Sequence, residues 1–473
     1  MTQATPVALT GSVDADFWAW VEQNQGRQYD LHTRHINAAF VKMLRTIGFD
    51  KGYVRGEGPY LWDKDGNKYL DLLTGWGVFA LGRNHPKVKA ILQDIMGRNL
   101  PNLVRMDCGI LSGLAAEKLL SHTSEDLSRV FFTNSGTETI EAAIKFARCA
   151  TGREPIIFCD HAFHGLTTGS LSLNGADFFR ERFGGLLPGT SKVPFNDLVA
   201  LEEALSTHHA AAFILEPVQG KSCEVVHDGY LAEAQRLCHK HGTLLVIDEV
   251  QCGLGRTGRW FCYQYWPDVE PDILCVAKAL SGGYIPVGAL VTRPKIMDSV
   301  FDSMEHCVVH SNTFGQNDMA MGAALATLQV IEEEKLVENA AAMGQYVMER
   351  LKPIAETCPF VSDIRGRGLM FGIDFARPKS SLKLKLAWDA LHKLNFGVFG
   401  QMIIIPLLQK HRILTQVAGY HTEVIKFLPP LTVTREDMDW FLAAMQDVLT
   451  DAQRFPGAAW DTVLGLTKRV IRA

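Results

Sequence analysis

The stretch LLVIDEVQCGLGRTG at residues 244–258, together with PDILCVAKALSGG at residues 271–283, decides the fold of this chain. In each stretch a short apolar run ends at a charged residue, Asp248 in the first and Lys278 in the second. Similar apolar runs are PIIF (155–158), AAFILE (211–216) and GALV (288–291). Runs this short and uninterrupted are typical of strands covered on both faces, so they predict a mainly parallel sheet.

Segments of helical period lie between these runs. Leu231, Ala234, Leu237 and Cys238 repeat at helical spacing, and Gly242 stands where such a helix would end. This arrangement predicts a βαβ unit and an α/β fold class. We expect a large α/β domain over residues 96–345 and a smaller α+β domain built from both chain ends, with residues 1–95 and 346–473 supplying its two parts.

Composition limits the classes of protein to which the chain can belong. Its 473 residues are 47% hydrophobic, which is enough to bury a large core. A formal net charge of -5 offers no basic field for a nucleic-acid partner. The ten cysteines include no C-x-x-C pair, and no apolar stretch approaches the roughly 20 residues that span a bilayer. We therefore expect a cytoplasmic protein without a membrane span.

Three polar residues end apolar runs, namely Glu216, Asp248 and Lys278. In open α/β sheets, working groups gather at the carboxyl ends of the strands. A buried lysine there is costly unless it is paired or made neutral, for example by condensing with an aldehyde, although a surface lysine is the simpler interpretation. A buried Asp248 needs a cationic partner, such as a protonated pyridine nitrogen, unless it only caps a turn or helix.

The segment NSGTETIEAAIKFAR at residues 134–148 predicts a helix that begins in small polar residues. The backbone N–H groups of Ser135, Gly136 and Thr137 at its start form an anion site assisted by the helix dipole. Taken alone, this segment is equally consistent with a simple helix cap.

Together these segments resemble the class III aminotransferases, which are fold type I pyridoxal-phosphate enzymes and include ω-amine and ornithine-type transaminases. The resemblance runs from about Gly58 to Leu431. In the family's order, the motifs are DGNKYLD, GRNHP, NSGTETIEAAIKFAR, FHG, LEPVQG, LLVIDEVQCGLGRTG, PDILCVAKALSGG, HSNTFGQN, RGRGLMFG and PPLTVT.

The resemblance implies a pyridoxal 5'-phosphate cofactor and a role for each matching residue. Lys278 would carry the cofactor as a Schiff base, and Asp248 would pair with its pyridine nitrogen. The remaining cofactor contacts would be Ser135, Gly136 and Thr137 at the phosphate, Val250 and Phe163 on the two ring faces, Gln251 at the ring hydroxyl, and Thr313 reaching the phosphate of the neighbouring subunit. His164 adjoins Phe163 in the FHG motif, and we expect it, like His310, to make hydrogen bonds rather than to catalyse.

The substrate side is less well defined by the resemblance. Glu216 matches an acid near the substrate that pairs with an arginine in many members, and Trp76 and Phe79 stand where the family places aromatic pocket walls. Trp76 as a core residue is the alternative. Lys426 stands three residues before PPL, where members that bind an α-carboxylate commonly have arginine, and lysine lacks the bidentate fork.

A second departure is the apolar stretch GVFGQMIIIPLLQ at residues 397–409. We expect a core strand or a dimer contact, with a substrate channel lined by its residues 399–408 as the alternative. Combined with Lys426 and Trp76, the channel alternative favours a terminal amine on an apolar chain as amino donor.

These observations predict a homodimeric aminotransferase that moves an amino group from a small-molecule amine to a keto acid, such as 2-oxoglutarate or pyruvate, by a ping-pong mechanism. Alternatives within the cofactor class are an ornithine- or 4-aminobutyrate-type transaminase, an aminomutase, a racemase or a decarboxylating transaminase. A catalytically dead binding protein has no need of a buried Lys278. A dinucleotide site at GLGRTG (253–258) lacks the helix that should follow it.

Overall fold

The computed structural model describes residues 13–104, 106–379, 381–394, 398–419, 423–457 and 459–461. The N-terminal part comprises α1 (Val13–Gln23), α2 (Gln28–His35), α3 (Ala38–Ile47), β1 (Tyr53–Glu57), β2 (Tyr60–Asp63), β3 (Lys68–Asp71), α4 (Thr74–Gly77), α5 (Pro86–Gly97) and α6 (Ile110–Leu120). A turn joins β2 to β3, and in it the Gly66 amide donates to the Asp63 carbonyl.

The central part alternates strands and helices. Its elements are β4 (Arg129–Thr133), α7 (Gly136–Thr151), β5 (Ile156–Cys159), α8 (Thr168–Leu171), β6 (Thr190–Val193), α9 (Leu198–His208), β7 (Ala212–Leu215), α10 (Tyr230–Lys240), β8 (Leu244–Asp248), β9 (Ile273–Val276), β10 (Gly288–Thr292) and α11 (Pro294–Val300). All five predicted apolar runs are strands. The predicted helix between two of them is α10, and Gly242 follows its C-cap with a φ of 65°.

These strands form one seven-stranded sheet in the order β4-β10-β9-β8-β7-β5-β6. Strands β6, β5, β7, β8 and β9 pair in parallel, whereas β10 is antiparallel to both of its neighbours. The prediction of a mainly parallel sheet is therefore confirmed, and GALV is its antiparallel member. The strands are buried apart from parts of β4, β6 and β8, as expected of a sheet between helical layers.

The C-terminal part comprises α12 (Asp318–Glu333), α13 (Leu336–Glu356), β11 (Val361–Arg367), β12 (Met370–Phe375), α14 (Leu382–Leu394), α15 (Val398–Gln409), β13 (Ile413–Leu414), β14 (Gln416–Val417), β15 (Val424–Phe427) and α16 (Arg435–Ala452). Two four-stranded sheets are ordered β1-β2-β3-β13 and β11-β12-β15-β14. The pairing of β3 with β13 places segments from both chain ends in one sheet, as expected for the smaller α+β unit.

The apolar stretch at residues 397–409 is a helix, so the prediction of a core strand is wrong. Gly397 lies outside the described residues, and the rest of the stretch is α15. Phe399, Ile403, Leu407 and their apolar neighbours are fully or almost fully buried in the main core. A helix that is apolar on every side is stable when it is enclosed, and a continuous apolar run cannot distinguish such a helix from a buried strand.

Within the described ranges, no helix combines the length and the apolar character needed to cross a bilayer.

Candidate active site

Two adjoining cavities, of about 140 and about 340 Å³, meet at Gly136 and Lys278. The smaller cavity is lined by Gly136, Thr137, Phe163, His164, Gly165, Glu216, Asp248, Val250, Gln251 and Lys278. Strands β7, β8 and β9 are parallel neighbours, so the residues at their carboxyl ends lie at one edge of the sheet. The structure therefore brings together Glu216, Asp248 and Lys278, as the sequence predicts.

Lys278 lies two residues beyond β9, at the start of a short 3₁₀ turn over Lys278–Ser281. Its backbone has a φ of 40°, the left-handed region that few non-glycine residues adopt. Burial lowers the pKa of its amine, although the charges of Asp248 and Glu216 oppose this effect. A lysine whose ammonium form is disfavoured is a good nucleophile toward a carbonyl, because the neutral amine is the reacting form.

Asp248 ends β8 and is only 3% exposed. One of its carboxylate oxygens lies 2.7 Å from Nδ1 of His164, and the other accepts the Val250 amide at 2.9 Å. Burial lowers the pKa of His164, but the hydrogen bond and the charge of Asp248 outweigh that effect and raise it overall. His164 thus has a hydrogen-bonding role, as expected, and its partner is the site aspartate, which the sequence did not show.

The start of α7 forms the wall between the two cavities. Ser135 is the N-cap, and its hydroxyl accepts the Glu138 amide at 3.2 Å. The amides of Gly136 and Thr137 have no acceptor among the described residues, so they are available to an anion at the helix N-terminus. A Cβ on Gly136 would lie 2.6 Å from Cγ1 of Val250, so only glycine allows these two segments to approach so closely.

Glu216 is the first residue after β7, and its carboxylate is buried. One oxygen accepts the Phe163 amide at 3.0 Å, and the other accepts the Gly220 amide at 2.7 Å. The arginine partner that the resemblance suggests for this acid is not found among the described residues. Burial raises the pKa of Glu216, while His164 opposes this effect.

Lys426 replaces the expected arginine in β15 and is only 3% exposed. Its ammonium nitrogen donates to the Gly220 carbonyl and, at 3.0 Å, to the side-chain oxygen of Gln251. The carboxamide nitrogen of Gln251 in turn donates to the Trp76 carbonyl at 3.0 Å. Burial, together with the nearby amines of Lys278 and Lys221, lowers the pKa of Lys426 to about 7, and the charges of Cys223 and Glu216 oppose this shift.

Trp76, Phe79 and Thr313, the remaining predicted residues, line neither of the two cavities. Trp76 is 57% exposed, and its indole N–H donates to the Gln416 side chain at 2.7 Å, so its alternative interpretation as a core residue is wrong. Phe79 is half-buried beneath the guanidinium of Arg83, 4.0 Å from its ring centroid, and does not line the smaller cavity. Thr313 is exposed and lines neither cavity of its own chain.

Two residues of the site were missed from the sequence. The Lys221 amine lies 4.2 Å from the Phe163 ring centroid and 5.0 Å from that of Phe179. The two rings pack edge to face with their centroids 5.5 Å apart. The position of Lys221 in LEPVQGK, five residues after Glu216, could have identified it, whereas no sequence signal indicated Phe179.

The GLGRTG segment is not a nucleotide loop. It is followed by a 3₁₀ turn over Cys262–Tyr265 rather than by a helix. A Cβ on its Gly258 would lie 2.9 Å from the backbone of Ala341, which shows that the segment is packed against α13. The dinucleotide alternative therefore lacks the required structural context.

The arrangement fits pyridoxal phosphate. An amine of lowered pKa, a buried aspartate held by a histidine, and helix N-terminal amides with no acceptor among the described residues surround one cavity at the carboxyl edge of the sheet. Val250 and Phe163 also line that cavity, and Gly136 packs closely on Val250. Such a fold and site define a pyridoxal-phosphate-dependent transferase of fold type I.

The comparisons identify the family within that class. The profile for Aminotransferase class-III matches residues 49–449. An acetylornithine aminotransferase from Methanopyrus kandleri is 36% identical over 84% of this chain and 93% of its own length. The structure of the ornithine aminotransferase from Toxoplasma gondii matches with a TM-score of 0.76 and 28% identity, over 92% of this chain and 98% of that one.

A third relative is longer than this chain. Aminotransferase PigE from a Serratia species is 32% identical over 96% of this chain, which spans only 56% of the PigE length. The chain therefore belongs to the class III aminotransferases and is a pyridoxal-phosphate-dependent enzyme.

Proposed function

We propose that this enzyme transfers an amino group from a primary amine at the end of a carbon chain to a keto acid such as 2-oxoglutarate or pyruvate, in two alternating half-reactions. The observation that carries the proposal is Lys278, whose amine has a lowered pKa and faces a cavity that also contains Asp248 and the N-terminus of α7. Attachment of the cofactor requires a neutral amine next to an anion site.

Lys278 would hold the cofactor covalently and be released when the substrate amine replaces it. Pyridoxal phosphate, when bound, supplies an electron sink for the bond that breaks at the amine-bearing carbon. The released Nζ of Lys278 would take the proton from that carbon and return it later in the reaction. The carboxylate of Asp248, oriented by Nδ1 of His164 at 2.7 Å, would hold the pyridine nitrogen protonated.

The other contacts would fix the cofactor in place. The backbone amides of Gly136 and Thr137, with Ser135 capping the helix, would bind the phosphate. Val250 and Phe163 line the cavity and would hold the two faces of the ring, while Gln251 would reach the ring hydroxyl. His164 would act through Asp248 rather than on the substrate.

Two observations support a terminal amine as donor. Lys426 donates hydrogen bonds to the Gly220 carbonyl and to the Gln251 side chain. A lysine also lacks the bidentate fork with which arginine binds an α-carboxylate. Two relatives are named for ornithine and acetylornithine, molecules that carry a primary amine at the end of a carbon chain. An ornithine-type transaminase is accordingly our second candidate. The structure does not support an apolar carbon chain on the donor, because α15 is enclosed in the core and lines neither cavity.

We further propose a cytoplasmic homodimer with shared active sites. Large apolar side chains close to Thr313 in the sequence are exposed, among them Met304, Val308 and Phe314, as are Met106 before α6 and Ile110 at its first position. Monomeric proteins rarely leave so many exposed, and a second copy that covered them could bring Thr313 to the partner's phosphate site. The division into residues 96–345 and a small domain from 1–95 and 346–473 is retained as part of this proposal.

A donor panel tests the proposed function. The cofactor-loaded enzyme is mixed with linear alkyl amines, diamines, ornithine, 4-aminobutyrate or glutamate, and the conversion of the cofactor spectrum is followed before and after a keto acid is added. We expect terminal amines to convert the cofactor faster than glutamate, and 2-oxoglutarate or pyruvate to reverse the change. An enzyme that only racemises a substrate or moves an amine within it, with no exchange between donor and acceptor, would contradict the proposal.

A further inference from the structure

The turn between β7 and α10 carries a lysine that the reaction described above does not use. Lys221 is half-buried, and its amine lies against the Phe163 ring, which lines the smaller cavity, and against Phe179. Aromatic faces attract an ammonium group at such distances. They leave its three N–H donors free for other partners, since a ring face is a weak acceptor.

Lys221 has no ion pair or hydrogen bond with any of the residues that the structure describes. The nearest acid of the site, Glu216, uses both oxygens to accept the Phe163 and Gly220 amides. The amine of Lys278 and the charge of Glu216 are both close enough to Lys221 to affect its pKa, which burial lowers overall. Lys221 is thus a half-buried amine without a counter-ion in the described part of the chain, next to a side chain that lines the smaller cavity, and an anionic ligand there would supply the missing charge.

Lys426 cannot be that anion's main partner. It is enclosed, and two of its donors are used by the Gly220 carbonyl and by Gln251. Because Gly220 immediately precedes Lys221, the Lys426 hydrogen bond also fixes the turn that presents Lys221. Lys426 is thus a positioning residue, and Lys221 is the amine free to contact a ligand.

We propose that Lys221 binds a carboxylate of the keto-acid acceptor and thereby determines which acceptors the enzyme uses. This inference rests on the proposed function. A lysine acts as a point charge rather than as a fork, so it tolerates carboxylates at several distances from the carbonyl. The same chemistry could serve a carboxylate on the donor, and measuring the two half-reactions separately distinguishes these sources.

The test compares wild-type holoenzyme with Lys221→Met, Lys221→Gln and Lys221→Arg. Lys240→Met is the matched control, since Lys240 is an exposed lysine paired with Glu202 at 2.6 Å. We expect the uncharged variants to raise the KM for 2-oxoglutarate about tenfold or more, with kcat little changed, because a charge-assisted contact is lost. Glutarate binding to the holoenzyme, measured by calorimetry, should weaken by a similar factor, and Lys221→Arg should restore most of both.

Two controls isolate the effect. Conversion of the cofactor by a linear alkyl amine, which has no carboxylate, should change far less in the Lys221 variants than reaction with 2-oxoglutarate does, as should reaction with an uncharged aldehyde acceptor, and both should match wild type in Lys240→Met. If wild type fails to react with any amine, the proposed function is at fault rather than this inference. Unchanged 2-oxoglutarate and glutarate affinity in Lys221→Gln, or a loss confined to carboxylated donors, would overturn the assignment of Lys221 to the acceptor.

Discussion

At the scale of single residues, the site depends on buried ionisable side chains that are hydrogen-bonded to one another. Asp248 is hydrogen-bonded to His164 at the sheet edge, with side chains that are 4% and 0% exposed. A histidine held in this way fixes the direction of the carboxylate, and the carboxylate raises the pKa of His164 and so favours its charged form. The same pair leaves Nε2 of His164 without a hydrogen-bond partner within the described part of the chain.

Asp248→Asn should retain the fold and the cofactor but slow the amine half-reaction. An amide does not keep the pyridine nitrogen protonated, so the electron sink weakens, and a loss on the order of 3 kcal/mol, or about a hundredfold in rate, is expected. Single-turnover absorbance measurements provide the rate. Asp177→Asn, at an exposed position, is the control, and a wild-type rate in Asp248→Asn would show that this carboxylate has another role.

Lys426 should make stability depend on pH. Its pKa is about 7 in the folded protein and close to 10.5 when unfolded, so the unfolded chain binds more protons between these values. The contribution of Lys426 to the free energy of unfolding is therefore largest above pH 10.5 and falls as the pH drops toward 7. The total change is a few kcal/mol as an order of magnitude.

Lys426→Met removes this dependence. We expect the melting temperature of the variant, relative to wild type, to be higher at pH 7 than at pH 10, as measured by calorimetry of the holoenzyme. The comparison between the two pH values cancels the lost hydrogen bonds to Gly220 and Gln251, which affect both measurements. If the difference in melting temperature between Lys426→Met and wild type were the same at both pH values, Lys426 would stay protonated in the folded protein.

At the scale of elements, α7 connects the fold to the chemistry. Its N-terminus follows β4 directly, and its apolar face, which includes Ile140, Ala143 and Ile144, is buried in the core. The helix is therefore fixed in position, and so are the amides of Gly136 and Thr137, two residues that line the smaller cavity. An anion site built on such a rigid element is preorganised.

Gly136→Ala should weaken cofactor binding without unfolding the protein. The new methyl group would lie 2.6 Å from Cγ1 of Val250, so the helix start or Val250 has to shift, at a cost of about 1–3 kcal/mol. Titration of the apoenzyme with pyridoxal phosphate, followed by absorbance, measures the loss. Gly185→Ala is the control, because a Cβ there meets nothing within 4 Å. If Gly136→Ala and wild type bound pyridoxal phosphate with equal affinity, the start of α7 would not be part of the cofactor site.

The strands and the central site residues could be predicted from the sequence because each depends on local pattern. Apolar runs ending in Asp248 and Lys278 specify both a buried strand and the polar group at its end. The helical state of residues 398–409 could not be predicted, since a wholly apolar run has no period. The pairing of His164 with Asp248 is a contact between residues 84 positions apart, which single-sequence patterns do not encode.

At the scale of the whole molecule, the proposed homodimer would complete each site with Thr313 from the other subunit. Thr313→Ala and Lys278→Ala subunits should each lack activity at low cofactor concentration, but mixing them should restore roughly a quarter of the wild-type sites, since half of randomly formed dimers have one intact site. Activity after subunit exchange provides the measurement. Exchange that is verified by mass spectrometry and yields no activity would rule out sharing of Thr313.

The covalent role of Lys278 is the central claim, and reduction of the holoenzyme with borohydride followed by peptide mapping tests it most directly. We predict that the protein binds pyridoxal phosphate with a visible absorbance band, that reduction abolishes this band, and that the added mass lies on the peptide containing Lys278. Lys278→Ala should acquire no such mass at any site. A modification on another lysine, such as Lys221 or Lys426, or a holoenzyme that borohydride leaves unlabelled, would contradict the account.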